Sequence, residues 1–294
     1  MLKSNSMKVL VLGATGMLGH AVFQMLSEKA PNHVIGTVRH PDDKRFFEPA
    51  AAERLVQVED LENHEHLARL FDDVGPQVVV NCTSIGKPIP TDPMRSIAIL
   101  SVLPHRLARL CRLNGARLVQ IGSDGVFAGT KGQYAEDDFP DATDLYGTAK
   151  QLGEVKEPHT VTLRTSIIGH ELKARNGLLE WFLSQSEECR CFTRAIFSGF
   201  PTVVLAEIIR DHVIPRPDLN GIYHVAAAPI SKFDLLRLIA ERYGKNICLV
   251  PDDTVAMNRS LQSGKFTKAT GYFPPNWPQL IDSMYSYQLN LPRT

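Results

Sequence analysis

Two short patterns in this chain have the residue types and the spacing to do chemistry. The first is Tyr146-Gly147-Thr148-Ala149-Lys150, the only Tyr-x-x-x-Lys in the sequence. On a helix, four residues bring both side chains to one face, about 6 Å apart along the axis. A phenol of pKa about 10 is a poor acid or base at neutral pH, and a nearby ammonium favours the phenolate and draws the pKa toward the working range. Upstream, Gly122-Ser123-Asp124-Gly125-Val126-Phe127 follows an apolar run that reads as a strand. Ser123 is therefore expected to raise its hydroxyl over the carboxyl edge of a sheet, where Ser123 and Tyr146 would hold one carbonyl oxygen between them. Taken alone, Tyr and Lys at this spacing make an exposed helix pair. Their company argues for catalysis.

That company is the second pattern, Gly13-Ala14-Thr15-Gly16-Met17-Leu18-Gly19, set between a predicted strand and a predicted helix. Glycines allow a tight turn and a close approach of backbone to a pyrophosphate, and a helix N-terminus offers unpaired N–H groups and a positive dipole end. Gly13, Thr15, Gly16, Met17, Leu18 and Gly19 are thus the expected dinucleotide contacts. The next strand ends Thr37-Val38-Arg39-His40, with no acid before Asp42. An acid at this place binds the ribose 2′-hydroxyl of NAD, whereas an arginine accepts the 2′-phosphate of NADP. The expected cofactor is NADP(H) in preference to NAD(H), with Arg39 as a fork-shaped ligand and His40 beside it. Asp60 and Leu61, after the third strand, are placed at the adenine edge, although an Asp after a strand also serves as a helix cap.

These residues need a scaffold, and the hydrophobic pattern supplies one. Lys8 to Leu12 is a short apolar run ended by glycine, and Met17 to Leu26 has helical spacing. His33 to Val38, Leu55 to Val58, Gln77 to Asn81, Arg117 to Ile121 and Thr160 to Arg164 read as further strands. Helical segments at 64–74, 95–114 and 145–156 separate them. Six strands alternating with helices predict an α/β fold, a Rossmann-type doubly wound parallel sheet. The first 165 residues are expected to hold cofactor and catalytic groups. Beyond them the alternation breaks down, and residues 166–294 read as mainly a smaller C-terminal substrate-binding lobe, with some segments returning to the core. Within it, Gly221 to Ala226 reads as a strand, and Ser231-Lys232-Phe233-Asp234 has the form of a capping box that starts a helix.

Composition sets limits on partners. In 294 residues, Lys+Arg and Asp+Glu are equal at 32 each. That balance argues against a nucleic-acid or anionic-membrane partner and for work done in a pocket on a small molecule. No apolar stretch approaches the ~18 residues of a membrane span, and no signal-peptide pattern is present, so a cytoplasmic location is expected. Five cysteines form an odd set without framework spacing, which fits reduced thiols. Cys189-Arg190-Cys191, and His64 with His66, lack the companions a metal site needs, and no metal is expected. Met1 to Ser6 reads as a polar extension. A homodimer is allowed but not specified.

The residues resemble a known family. The glycine turn, the Ser before Tyr-x-x-x-Lys and the late substrate lobe look like the extended short-chain dehydrogenases/reductases, in their dTDP-4-dehydrorhamnose reductase branch of sugar-nucleotide 4-ketoreductases. The phrases that carry it are IGSDGVFAG at 121–129, YAEDDFPDATDLYGTAKQLGE at 134–154, LRTSIIG at 163–169, GIYHV at 221–225 and NRSLQSGKF at 258–266. The resemblance implies a catalytic triad of Ser123, Tyr146 and Lys150, NADPH as hydride donor to a 4-keto sugar, and Tyr146 as the acid that protonates the alkoxide. It implies cofactor contacts from Cys82, Thr83, Thr165, Ser166 and Ile167, the last three along the nicotinamide. It also implies that Asp124, Val126 and Phe127 line the substrate beside Ser123, and that Arg259 and Ser260 face a nucleotide diphosphate. A buried pyrophosphate needs such a fixed cation to offset its desolvation.

Two departures stand out. Leu100 occupies the place where relatives carry Asn, and Thr83-Ser84-Ile85-Gly86-Lys87-Pro88 replaces an Ala-rich loop, with Lys87 in reach of a phosphate or a carboxylate. A non-catalytic alternative is also open, because the regulatory β-subunit of methionine adenosyltransferase shares much of this motif set and acts through a partner protein. A sugar-nucleotide epimerase is a further alternative. A dehydratase is disfavoured, since Asp124 is followed by Gly125 and not by a second acid.

Overall fold

The computed structural model describes residues 7–29, 33–85, 93–173, 176–288 and 291. The polar extension at Met1 to Ser6 and the candidate ligand Lys87 lie outside the described residues. The first half follows the expected alternation: β1 (Val9–Leu12), α1 (Met17–Lys29), β2 (Val34–Val38), α2 (Pro49–Ala52), β3 (Leu55–Gln57), α3 (His64–Val74) and β4 (Val78–Asn81). There follow α4 (Pro93–Ile97), α5 (Leu103–Leu113), β5 (Arg117–Ile121), α6 (Leu145–Leu152) and β6 (Thr160–Arg164). Every residue of β1, β4, β5 and β6 is buried, as parallel strands covered on both faces must be. Val9 and Val11 pack into one core with α1, while Leu10 and Leu12 pack into a second with α3 and α5.

The second half is less regular. It contains β7 (Ile167–Ile168), α7 (Leu178–Ser184), β8 (Glu188–Phe192), β9 (Ala195–Phe197), β10 (Phe200–Pro201), α8 (Thr202–Ile208) and β11 (Gly221–His224). Then come β12 (Ile230–Ser231), α9 (Lys232–Arg242), β13 (Cys248–Asp252), β14 (Met257–Asn258), α10 (Gly264–Thr270) and α11 (Trp277–Gln288). The main sheet has seven strands in the order β11-β6-β5-β4-β1-β2-β3, all parallel. The order reverses between β1 and β4, which opens a crevice at their carboxyl ends where ligands bind in such sheets.

The strand expected at Gly221 to Ala226 is β11, and it extends the main sheet beyond β6, so it is one segment of the late chain that returns to the first unit. Two details differ from the sequence expectation. The helix expected over 145–156 stops at Leu152, because Gly153 tucks under the Leu100 carbonyl, where a Cβ would come within 1.9 Å of the oxygen. Between α4 and α5 the helix widens into a π-turn at Ala98–Val102, and Leu100 is buried there in the second core. The capping box at Ser231 starts α9 as expected: the Asp234 N–H donates to Ser231 Oγ at 3.0 Å.

Candidate active site

The turn after β1 is built by contacts that only glycine permits. Gly13 lies at φ +77°, and its N–H donates to Thr37 Oγ1 at 3.0 Å, which ties the turn to β2. The Gly16 N–H donates to the Gly13 carbonyl at 3.0 Å, and a Cβ on Gly19 would stand 2.0 Å from that same oxygen. The N-terminus of α1 is therefore pressed against the turn, with Gly16 exposed above it. Thr15 and Met17 are half-buried along the turn, whereas the Leu18 side chain points into the core, leaving only its backbone to a ligand. Thr83 packs on Gly13, its Cγ2 3.3 Å from a built Cβ, and is held there because its N–H donates to Asn81 Oδ1 at 3.1 Å. At the end of β2, Arg39 and His40 are both exposed. Asp60 uses its carboxylate locally, accepting from the Glu62 N–H at 2.7 Å, and Leu61 packs against the second core.

The catalytic candidates converge at the carboxyl ends of β4 and β5. Asp144 caps α6 by accepting from the Gly147 N–H at 2.8 Å. The first turn of α6 lies so close to the Ser123 loop that a Cβ on Gly147 would be 2.4 Å from the Gly125 carbonyl. This contact sets Tyr146 against Ser123. The Tyr146 hydroxyl hydrogen-bonds the side chains of Ser123 and Ser84. Burial pushes its pKa up, with Asp124 and Asp144 adding to the rise and the two serine hydroxyls opposing it. Lys150 is buried and donates to the Ile121 carbonyl at 3.0 Å; burial lowers its pKa to about 8, while Cys82 and Glu154 pull it back up. The expected lowering of Tyr146 by the Lys150 ammonium is not what governs the phenol here. Desolvation dominates, and Tyr146 is kept protonated.

Cys82 lies beside Lys150, and burial pushes its thiol up to about 12. Thr165 is buried next to the Ser123 loop, its carbonyl accepting from the Asp124 N–H at 3.0 Å, and Ser166 and Ile167 follow half-buried. Asp124 is likewise half-buried, one residue from Ser123. Arg259 is largely buried, with its Nη2 3.8 Å from Asp144 Oδ2 and its Nε without a hydrogen-bond partner. A guanidinium so weakly paired is suited to a diphosphate.

Other expected residues are placed differently. Val126 and Phe127 are fully buried in a small core with Tyr134, Ala226 and Leu261, where Phe127 stacks on Tyr134 at 4.1 Å between centroids. They support the Ser123 loop from behind and do not line a cavity. Ser260 is fully buried too; its Oγ accepts from the Gln133 N–H at 2.9 Å and from Gln133 Nε2 at 3.0 Å. It anchors the segment that carries Arg259. Two residues escaped the sequence reading. Ser84 lies in the variant loop that starts at Thr83, and a hydroxyl just past β4 is the sequence signal that points to it. Lys232 opens α9; burial lowers its pKa, Asp124 raises it and Arg259 lowers it, which puts a second cation beside Arg259 and Asp124.

A parallel sheet in this order, a glycine turn at its switch point and a Ser-Tyr-Lys set over β4 and β5 define an extended short-chain dehydrogenase/reductase. The chain belongs to the RmlD substrate binding domain family, whose model matches residues 7–281. Its fold and family are those of NAD(P)-dependent oxidoreductases of that class. Among relatives, it is 32% identical over 261 residues to methionine adenosyltransferase 2 subunit beta of Rattus norvegicus, covering 81% of this chain and 72% of that protein. It is 32% identical over 149 residues to dTDP-4-dehydrorhamnose reductase of Streptomyces griseus, covering 49% of this chain and 43% of the relative. The structure of dTDP-4-dehydrorhamnose reductase of Bacillus anthracis, in complex with NADP, superposes with a TM-score of 0.74 at 21% identity, covering 96% of this chain and 99% of that one.

Proposed function

We propose that this chain is an NADPH-dependent reductase of a nucleotide-activated 4-keto-6-deoxy sugar. The observation that carries the proposal is the protonated Tyr146 hydroxyl held on Ser123 beside buried Lys150, at the edge that faces the glycine turn. The cofactor site fits a dinucleotide: Gly16 is exposed at the N-terminus of α1, and the Gly19–Gly13 contact leaves no room for a side chain between turn and helix. Bound there, NADPH supplies a hydride to the C4 ketone. Ser123 and Tyr146 would hold the ketone oxygen between their hydroxyls, and the Tyr146 proton passes to that oxygen as it becomes an alkoxide. Lys150, charged below about pH 8, then stabilises the phenolate left behind. Arg39 and His40 are offered to the 2′-phosphate. Arg259 and Lys232 would face the substrate diphosphate. No helix among the described residues is long and apolar enough to cross a membrane, and the five free cysteines go with a reducing compartment such as the cytoplasm.

The test is NADPH oxidation with dTDP-4-keto-6-deoxy sugars. The wild type should turn over and Tyr146→Phe should lose 10²–10⁴-fold in kcat, the usual worth of a positioned acid. Full activity in that variant would refute the mechanism. The 32% identity to a methionine adenosyltransferase β-subunit favours a second reading, a regulatory subunit that binds the dinucleotide without turnover. Absence of turnover with any 4-keto sugar nucleotide, together with stoichiometric capture of a catalytic partner, would select it.

A further inference from the structure

We propose that Lys173, from the segment after β7, sets a preference for NADPH over NADH by neutralising Asp43 beside the 2′-phosphate position. This rests on the cofactor reading above and extends it to a residue outside the first unit. After β2 the chain turns at His40 into a short 3-10 turn, Pro41–Phe46, and Asp43 folds back so that the His40 N–H donates to Asp43 Oδ2 at 3.4 Å. Asp43 is buried, and its carboxylate accepts from the backbone of His40, the residue after Arg39. A dianionic phosphate held by the exposed Arg39 would feel that buried carboxylate through a partly solvated path, where like charges repel moderately.

The charge does not stand alone. Lys173 Nζ lies 2.5 Å from Asp43 Oδ2 and 6.0 Å from the centre of the Phe46 ring, whose other cationic neighbour is Arg45 at 4.9 Å. Nearby, Gly177 approaches the glycine turn so closely that a Cβ would be 2.8 Å from Met17 Cε, and its N–H donates to Glu171 Oε2 at 2.6 Å. The chain just after Lys173 therefore packs against Met17 of the glycine turn, with Glu171 holding Gly177 there. With Lys173 in place, the end of β2 presents Arg39 and His40 with no net opposing charge from Asp43. Without it, Asp43 repels a phosphate but leaves a ribose hydroxyl unaffected.

The experiment measures the affinities of the full-length protein for NADPH and NADH by fluorescence titration. Lys173→Met should weaken NADPH about tenfold and leave NADH within twofold; Lys173→Arg should keep the wild-type ratio. Adding Asp43→Asn to Lys173→Met should restore NADPH binding, and NADH affinity should stay level through the series, whereas a merely structural role for the ion pair would lower and restore both nucleotides together. Equal losses for both nucleotides, no loss for either, or no recovery in the double variant would overturn the proposal. Should Lys173→Met fail to fold, Lys173→Gln carries the same comparison. A wild type that binds neither nucleotide would instead remove the cofactor reading itself.

Discussion

Replacing Gly19 by alanine should cost cofactor affinity while sparing the fold. The added Cβ would sit 2.0 Å from the Gly13 carbonyl oxygen and 2.7 Å from its carbon, both backbone atoms without rotamer freedom. Restoring an ordinary contact distance requires α1 and the turn to separate by more than about 1 Å. The Gly13 carbonyl also accepts the Gly16 N–H, so the amides that would cradle a pyrophosphate move with it. A misplacement of about 1 Å in a positioned site is worth roughly 10²-fold, or about 2.7 kcal/mol. At an NADPH concentration 100 times the wild-type Kd, the ligand stabilises the wild type by about 2.7 kcal/mol and the variant by about 0.4 kcal/mol. In a thermal-shift assay these become roughly 5 to 11 °C against 1 to 2 °C. The unliganded variant should still fold but melt a few degrees below wild type, since alanine's helix propensity, about 1 kcal/mol, offsets only part of an overpacking cost of roughly 1–3 kcal/mol. Gly264→Ala, in open space at the start of α10, is the control and should bind normally. A Gly19→Ala protein with the wild-type ligand-induced shift would refute this account of the turn.

The buried pair of Arg164 and Glu154 is bidentate at 2.5 and 2.8 Å with both side chains nearly inaccessible, so Glu154→Gln should destabilise by about 3 kcal/mol in urea unfolding. A loss below about 1 kcal/mol would contradict that assignment. Burial lowers the pKa of His20 and of His224 to about 4, the latter with help from Arg164. The unfolded chain binds more protons between pH 6.5 and 4, so stability should be full above pH 6.5 and fall as pH drops toward 4, by about 3 kcal/mol for each histidine. His20→Gln should flatten that slope, and a slope unchanged in the variant would exclude His20 as a contributor. Ser84→Ala removes a hydrogen bond that lowers the Tyr146 pKa. The Tyr146 ionisation, the higher of the two alkaline limbs of the kcat profile above the Lys150 loss near pH 8, should move upward, with kcat at neutral pH reduced less than tenfold; a downward move would reverse the proposed role of Ser84.

The sheet was legible because parallel strands buried on both faces are rich in β-branched and apolar residues, as VLVL of β1 and VVV of β4 are, while β5 shows LV between the buried Arg117 and Gln120. Strand β11 shows only alternate burial at the sheet edge, and nothing in GIYHV says whether it pairs with β6 or with a neighbour in its own lobe. Tyr146, Lys150 and Ser123 could be found because helix periodicity and a strand end fix them locally. The resemblance places Val126 and Phe127 along the substrate, yet the 3-10 turn at Asp124–Val126 swings them behind the loop, against Tyr134. Ser84, Lys173 and Lys232 reach the site from loops and helix starts set by tertiary packing, which no local spacing encodes.

The late return of β11 also has a consequence for synthesis. When β6 leaves the ribosome, its outer edge is an unpaired row of N–H and C=O groups, and about 56 residues must follow before its neighbour exists. At 5–20 residues per second this is an interval of roughly 3 to 11 s during which a hydrophobic parallel edge is open to other nascent chains. A gene cut near residue 165 would make that interval permanent. The nucleotide-binding half should therefore aggregate when expressed alone, even though it carries the glycine turn and the Ser-Tyr-Lys set.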